Sequence, residues 1–585
     1  MTVDFKTIKI SRAHLRWMWP YIRKHWKRGA LGALGLVILS AMALPSPYIM
    51  KIIIDKAIGA KNLPLLNILI IALFSVQVAR FGISWGTNYT FNRYSLEVMT
   101  DVKRDLFHRI LRFPMSFFDK HQTGYLMSRI GEVEGLNLFF SSTLVYVVIS
   151  IGQFIFCLAV LFHLNSSLTL IALLFLPLLF TASRLFTGDL RRLSWQYYEK
   201  SAVLSKGLQD SLSGVEVVKS FGAEGRESLK FQGRLNELKN VNIRRAVLMS
   251  LFSETVSFIA AGSGFVILWM SGSRIISEQF TLGSYLAFAA YFGQLFGPTQ
   301  MFANLGMTLQ PAKVALLRVQ ELLTVVSEDE KRGAQTMPSL QGRIELSGVG
   351  FGYVPGKRIL DSVNLQILPG EKILIAGPNG SGKSTLIKLI MGFYQPQDGE
   401  ILIDGVPIAM VSTVSLRDRI SVVSQNTFLF SDTIRNNILY SAPQAAMSDF
   451  EHAIKATGVL DFVKKFPRGL DTEIGERGVR LSGGERQKIS IARAILRVSD
   501  ILIFDEATTH LDESSISFIG DIIERRFMKK TCLIISHRPI RLPKIDRFLW
   551  IENGKFREVP LAETAKDFRR VLQISSSDRS IGQID

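Results

Sequence analysis

Apolar residues follow two regimes along this chain. Up to about residue 326 they form long runs separated by charged stretches; from Gly342 onward they come in short runs divided by turn residues. Six of the long runs are extensive enough to cross a bilayer, which takes ~20 residues of helix. They lie near 30–54, 64–86, 138–163, 166–186, 251–273 and 281–308. Short links join the first to the second, the third to the fourth and the fifth to the sixth. Between them, residues 87–135 and 187–250 place apolar residues at helical intervals among charges, with few breakers, so both long links are predicted to be helical.

Charge sets the orientation. The 187–250 link is rich in Lys and Arg, whereas the short link HLNSS at 163–167 has neither. The excess of basic residues on cytoplasmic segments puts both termini and both long links in the cytoplasm. Residues 1–28 carry eight Lys or Arg and no clear small-residue cleavage pattern, which reads as a basic lead-in rather than a cleavable signal. No peptidase domain is expected before the first segment, so a peptide cargo would not be processed by this chain.

Beyond the sixth run a helix is predicted to about Val326, followed by a polar linker at 327–341 containing SEDEKRGAQTMPS. From 342 to 572 strands alternate with helices. Residues 573–585, ending in SSSDRSIGQID, read as a disordered tail. The expected fold class is therefore a membrane all-α six-helix transmembrane domain, residues 1–326, plus an α/β P-loop nucleotide-binding domain, residues 342–572.

Composition agrees with a membrane portion: 48% of the 585 residues are hydrophobic, and mean hydropathy is +0.23. The net charge of +19 fits nucleic-acid binding or basic cytoplasmic loops, and the six apolar runs favour the loops. Only two cysteines occur, Cys157 and Cys532, far apart in apolar surroundings. That spacing implies neither a disulfide framework nor a metal site.

The chemistry lies in the second half. ILIAGPNGSGKST, Ile373 to Thr385, is an apolar strand followed by the G-x-x-x-x-G-K-[ST] pattern at Gly377, Pro378, Asn379, Gly380, Ser381, Gly382, Lys383 and Ser384. Glycines let backbone N–H groups close on phosphate oxygens, Lys383 reaches the β- and γ-phosphates, and Ser384 ligates Mg²⁺. ILIFDEATTHLD, Ile501 to Asp512, runs from a buried strand into two adjacent carboxylates. Charge there is costly unless a cation shares the site. Asp505 is expected to complete the magnesium site, and Glu506 to polarise the attacking water. A third motif, Leu481-Ser482-Gly483-Gly484-Glu485, is at minimum a helix N-cap with room for an anion.

P-loop, signature and acidic strand, in that order after six membrane segments, resemble an ATP-binding cassette transporter, specifically an exporter-type half-transporter. The resemblance covers nearly the whole chain. It implies that Tyr353 stacks on adenine, and that Gln425 touches magnesium and the membrane domain. Glu476 would meet the coupling helices, and Asp512 would sit in the D-loop. His537 would bond the γ-phosphate. Ser482, Gly483 and Gly484 would close on the ATP of the other subunit. FFDKHQTGYLMSRI (117–130) and SLSGVEVVKSFGAE (211–224) resemble the two coupling regions. This sequence departs from the usual pattern at Glu485 and at Lys488, neither of which removes a phosphate contact. It departs also at Thr509-His510, where bulkier side chains in the D-loop are expected to alter how the two subunits communicate. Glu506 and His537 are both present, so inactivity is not implied.

By the same resemblance ATP and Mg²⁺ are cofactors, and each site forms between two chains. A homodimer is expected, and a heterodimer stays open. The implied activity is ATP-driven export by alternating access of a lipid, peptide or hydrophobic compound. The alternatives are an ATP-gated channel or regulator with little turnover, and an importer on the same scaffold. The expected location is a bacterial inner membrane, with the cassette in the cytoplasm. Phe288, Phe292 and Phe296 share one helix face and either line a cavity for an amphipathic or aromatic substrate, pack against other helices or face lipid. Gln77 and Arg80 put polarity into the second segment, where it is costly and often functional.

Overall fold

A computed structural model describes residues 16–121, 123–328, 335–338, 341–424, 427–475, 478–506, 513–536 and 545–560, with 123, 298–308, 310, 311 and 513–519 as backbone alone. The chain divides into two compact units. One comprises residues 1–110 and 124–324; the other comprises 111–123 and 325–585.

The first unit is helical. Among the described residues five stretches are long and apolar enough to cross a membrane: Trp19–Ile58, Leu63–Ile110, Gly124–Leu164, Ser166–Ser213 and Glu224–Ile276. The sixth expected span, 281–308, is two consecutive helices, Leu282–Gln294 and Phe296–Leu323, and its residues 298–308 lie among those described as backbone alone. The long polar links are helical, as the apolar spacing implies. Leu63–Ile110 has 48 residues and Glu224–Ile276 has 53. At 1.5 Å per residue these helices run for ~70 to 80 Å, more than twice a bilayer core of ~30 Å.

The first span is irregular. It passes from the Trp19–Ala43 helix to Pro45–Ile52 and then to a π-helical turn, Ile53–Ile58. Pro45 and Pro47 have no N–H to continue the ladder, which accounts for the break. The π turn places Asp55 at the start of the Leu282–Gln294 helix. There its carboxylate accepts the Thr281 hydroxyl at 2.6 Å and the Gly283 N–H at 2.9 Å. Where the first two spans cross, a Cβ at Gly35 would lie 2.2 Å from the Thr87 hydroxyl, so only glycine permits that approach. Phe288, Phe292 and Phe296 are buried in one core with Leu161, Val256 and Ile267. Within this chain they are packing residues.

The second unit holds two sheets. Strands β1 (Ile344–Phe351), β2 (Leu360–Ile367), β4 (Asp398–Ile403) and β5 (Val406–Pro407) form an antiparallel sheet in the order β2-β1-β4-β5. The larger sheet uses β3 (Lys372–Ala376), β6 (Ile420–Ser424), β7 (Ile501–Asp505), β8 (Thr531–Ile535), β9 (Arg547–Glu552) and β10 (Lys555–Val559). Its order is β10-β9-β3-β8-β7-β6, parallel except for β10. β3 and β8 are buried at every residue, the mark of a parallel sheet covered on both faces. One core fills the space between the sheets and around the Lys383–Ile390 helix, and a second covers the other face of the larger sheet. A third core gathers Ile434, Ile438, Phe450, Phe462 and Ile489 into a helical subdomain.

Candidate nucleotide site

β3 ends at Ala376, and the chain turns through Gly377–Gly382 into the Lys383–Ile390 helix. Ligands of open α/β sheets bind outside such strand ends. Gly382 caps this helix at φ +111°, a conformation L side chains rarely adopt, and gives its first turn no side-chain cap. The first-turn amides are therefore free of a competing side chain. Asn379, Gly380 and Ser384 are exposed at the crown of the loop, and Lys383 lies buried beneath it. The Lys383 ammonium donates to the carbonyls of Gly377 at 2.8 Å and Pro378 at 2.7 Å. Burial pulls it down to about 8, against the opposing pull of Glu506 and Asp505. The Ser381 hydroxyl is buried without a hydrogen-bond partner. An orphan donor beside a buried cation fits an anion, and phosphate oxygens satisfy both.

The acid pair closes the other side. Asp505 ends β7, two strands from β3 across β8. Burial raises its pKa, Glu506 raises it further, and Lys383 partly offsets both. Glu506 stands at φ +50°, in the left-handed region, with its N–H on the Ile535 carbonyl at 3.1 Å. Such a conformation in a non-glycine residue is strain of the kind that collects at functional sites. An exposed Ser384 hydroxyl and one strand-end carboxylate suit a hard cation that keeps water and phosphate ligands. No group of three or more His, Cys, Asp or Glu is placed to hold a metal among the described residues.

Tyr353 reaches the loop through its hydroxyl, 3.4 Å from Thr385 Oγ1. One side of its ring meets Tyr394 edge-on at 5.2 Å, and the Lys388 ammonium lies 5.4 Å from its centre. Lys388 and Tyr394 both hydrogen-bond Asp119, Lys388 at 3.1 Å. Asp119 belongs to the short Met115–Lys120 helix in the FFDKHQTG stretch. Sequence reasoning placed that stretch in the coupling region and missed this contact, because the partners lie 269 and 275 residues apart.

The signature opens a different element. Ser482 is the N-cap of the Gly483–Leu496 helix, and Ser482 with Glu485 forms a full capping box. Ser482 and Gly483 are exposed, and a Cβ at Gly483 or Gly484 would meet nothing within 4 Å. This helix packs in the third core, apart from the core beneath the P-loop. Arg493 of the same helix was not anticipated. It donates to the carbonyls of Asn437 and, at 2.8 Å, Phe428, and to the Asn437 side chain at 2.7 Å. Burial brings it down to about 10. The only hint in the sequence was a charge inside an otherwise apolar helix turn, IARAIL. Cys532 is buried and pushed up to about 12 by that burial, so it stays an inert thiol. Gln425, Glu476, Thr509, His510, Asp512 and His537 lie outside the described residues.

Two family profiles match the chain: the ABC transporter transmembrane region over residues 30–299, and the ABC transporter domain over 360–509. An ATP-dependent lipid A-core flippase of Desulfotalea psychrophila is 32% identical, across 89% of this chain and 92% of its own length. A flippase of the same name from Thiobacillus denitrificans is 31% identical, across 92% and 93%. The cyclolysin secretion/processing ATP-binding protein of Bordetella pertussis is 30% identical, over 95% of this chain and 78% of its own. A solved structure of a bacterial Atm1-family ABC exporter with ATP bound matches 98% of this chain with a TM-score of 0.78 and 24% identity, a likeness of fold.

Proposed function

Because the chain belongs to the ATP-binding cassette transporters, we propose that it moves an amphipathic lipid outward across a bacterial inner membrane, driven by two composite ATP sites of a homodimer. It is a multi-pass, ATP-hydrolysing exporter. The observation that carries the lipid reading is correspondence along the whole length. The lipid A-core flippases align over 92% or more of their own chains, whereas the toxin-secretion relatives align over 77% or 78% of theirs.

Labour divides between residues 1–326, which hold the cargo path, and 342–572, which bind nucleotide. In the cassette, Gly377 to Thr385 cradle the phosphates and Tyr353 stacks on the base. Lys383 exchanges its two carbonyl partners for phosphate oxygens and gains a charge-assisted bond. Ser384, Asp505 and Gln425 hold the magnesium ion, which neutralises phosphate charge. Glu506 orients and deprotonates the attacking water, and His537 contacts the γ-phosphate. Ser482, Gly483 and Gly484 face open space on their own subunit, which suits closure over nucleotide held by the partner, with Asp512 beside that seam. Closure then favours the outward state and hydrolysis returns the inward one, a population shift set by differential affinity.

Proteoliposomes carrying the wild type or Glu506→Gln test this. With Mg-ATP, the wild type translocates a fluorescent lipid A-like glycolipid, and Glu506→Gln loses hydrolysis by a factor of ~10² to 10⁴ and loses translocation with it. Hydrolysis that persists in the variant would remove Glu506 from its role. Wild-type hydrolysis without lipid movement would overturn the lipid reading.

A further inference from the structure

The first and third membrane spans and the Leu282–Gln294 helix border an open cavity of about 620 Å³, within the ~300 to 1,000 Å³ typical of ligand pockets. Its origin is the proline break in the first span. Beside that break the Leu44 carbonyl accepts the hydroxyl of Tyr291, which holds the Leu282–Gln294 helix against the kink. Ala41, Tyr48 and Ile49 line one wall, and Phe156, Ala159 and His163 line the other.

Apart from the Tyr48 hydroxyl and the bonded Tyr291 hydroxyl and Leu44 carbonyl, the polar groups lie towards the two ends. His163 lies one residue from the end of the Ser142–Leu164 helix, beside the short link that charge places outside. The Lys51 ammonium stands 5.7 Å from the centre of the Tyr48 ring. Asp55, an acid four residues beyond Lys51, is already engaged by Thr281 and Gly283. The mouth is therefore basic. At the inner end, Gln153 donates to Gln294 at 3.3 Å, one turn beneath Phe156. Gln153 and His163 are ten residues apart on one helix. That is ~15 Å of rise, half of a ~30 Å hydrocarbon core. The largely apolar wall thus spans the depth of one leaflet, with Lys51 and His163 outside and the Gln153–Gln294 amide pair inside.

We propose that this cavity is an outer-leaflet site for an acyl chain of an anionic amphiphile, with Lys51 and His163 at the phosphate-bearing end. The identity of that amphiphile as cargo rests on the lipid reading above; its seating in the cavity needs no turnover.

The full-length protein in nanodiscs tests the site, using phosphatidylglycerol with a diazirine on its acyl chain and phosphatidylcholine with the same chain as comparison. After irradiation, peptide mass spectrometry reads where the chain sits. Label concentrates in residues 41–49 and 156–163, about fivefold more from the anionic probe, as expected for a basic side chain beside an anionic lipid. Ala159→Trp fills the cavity and reduces that label to background. Ala41→Leu does the same by a smaller intrusion and serves if the tryptophan variant fails to fold. Lys51→Gln combined with His163→Gln removes the preference for the anionic probe, and Glu506→Gln keeps the label. Label no denser there than along the exposed run around Ile70 and Phe74 overturns the site, and so does label indifferent to both fillings. A disulfide joining two copies through Ala159→Cys, with no label, assigns the cavity to the partner chain instead. Label retained while lipid translocation is absent overturns the cargo reading and leaves the site standing.

Discussion

Ser482 and Glu485 satisfy each other's backbone: the Ser482 N–H donates to Glu485 Oε2 at 2.8 Å, and the Glu485 N–H donates to Ser482 Oγ at 3.3 Å. The acid at this position therefore has a local structural task at the mouth of the signature helix. A glutamine offers the same acceptor oxygen. Glu485→Gln should leave cassette stability within about 0.5 kcal/mol of wild type, whereas Glu485→Ala should lose about 1 kcal/mol, the usual worth of a capping interaction. Urea unfolding of the two variants, followed by tryptophan fluorescence, separates these outcomes.

Asp119 ties the Met115–Lys120 helix to the aromatic group around Tyr353. Burial pushes its carboxyl upward, but the Tyr394 hydroxyl and the Lys388 ammonium outweigh that and hold it below the usual carboxylate value. A lowered folded-state pKa contributes stability that is fully present above the unfolded value of ~3.9 and fades as pH falls through the folded one. Hydrogen exchange across residues 113–121 should be protected near neutrality and lose that protection below about pH 4. Asp119→Asn should show the weakened protection already at pH 7. Equal protection in both proteins at pH 7 would remove Asp119 from the contact.

What the sequence disclosed and what it withheld divide along range. The β3-to-P-loop turn and the Ser482 cap are local patterns in which a few adjacent residues determine backbone geometry, so their spacing was readable. The long helices of the two polar links followed from apolar spacing alone. The contact of Asp119 with Lys388 and Tyr394 depends on which distant elements the fold brings together, and no local periodicity encodes it. Arg493 is similar: one charge in IARAIL gives no sign that its partners are the carbonyls at Phe428 and Asn437. The π turn at Ile53–Ile58 was also hidden, because the spacing of residues in IIDKAI looks the same whether the backbone hydrogen bonds reach back four residues or five. The aromatic stripe at Phe288, Phe292 and Phe296 was compatible with a cavity, with packing or with lipid, and burial within one core selects packing.

Lys383 should govern nucleotide binding in a way that separates it from folding. Its ammonium is buried on two carbonyls, and burial alone drives its pKa down. Lys383→Met keeps the stem and removes the charge. The wild type should gain several degrees of melting temperature from saturating Mg-ATP, since ligand at a hundred times Kd adds about 2.7 kcal/mol. The variant should show almost no gain while its ligand-free melting temperature stays close to wild type. Differential scanning fluorimetry with and without Mg-ATP reads both. A full ligand-induced shift in the variant would mean that the phosphates do not rely on this cation.

Glu506 holds a backbone conformation that favours glycine, φ +50°, directly after Asp505 at the end of β7. In an L residue with a Cβ the left-handed region costs roughly 1 to 2 kcal/mol. Glu506→Ala and Glu506→Gly both delete the carboxylate, so both should abolish hydrolysis. They differ only in whether the strain remains. Glu506→Gly should therefore be the more stable of the two by about 1 kcal/mol, the relief being partly offset by the greater freedom of glycine in the unfolded chain. Chemical denaturation of the two variants without nucleotide measures the difference. If alanine proves as stable as glycine, the left-handed turn is relaxed in solution. If glycine is the more stable, the turn is built in, and the strain at Glu506 is a standing cost that the site keeps in order to aim its carboxylate.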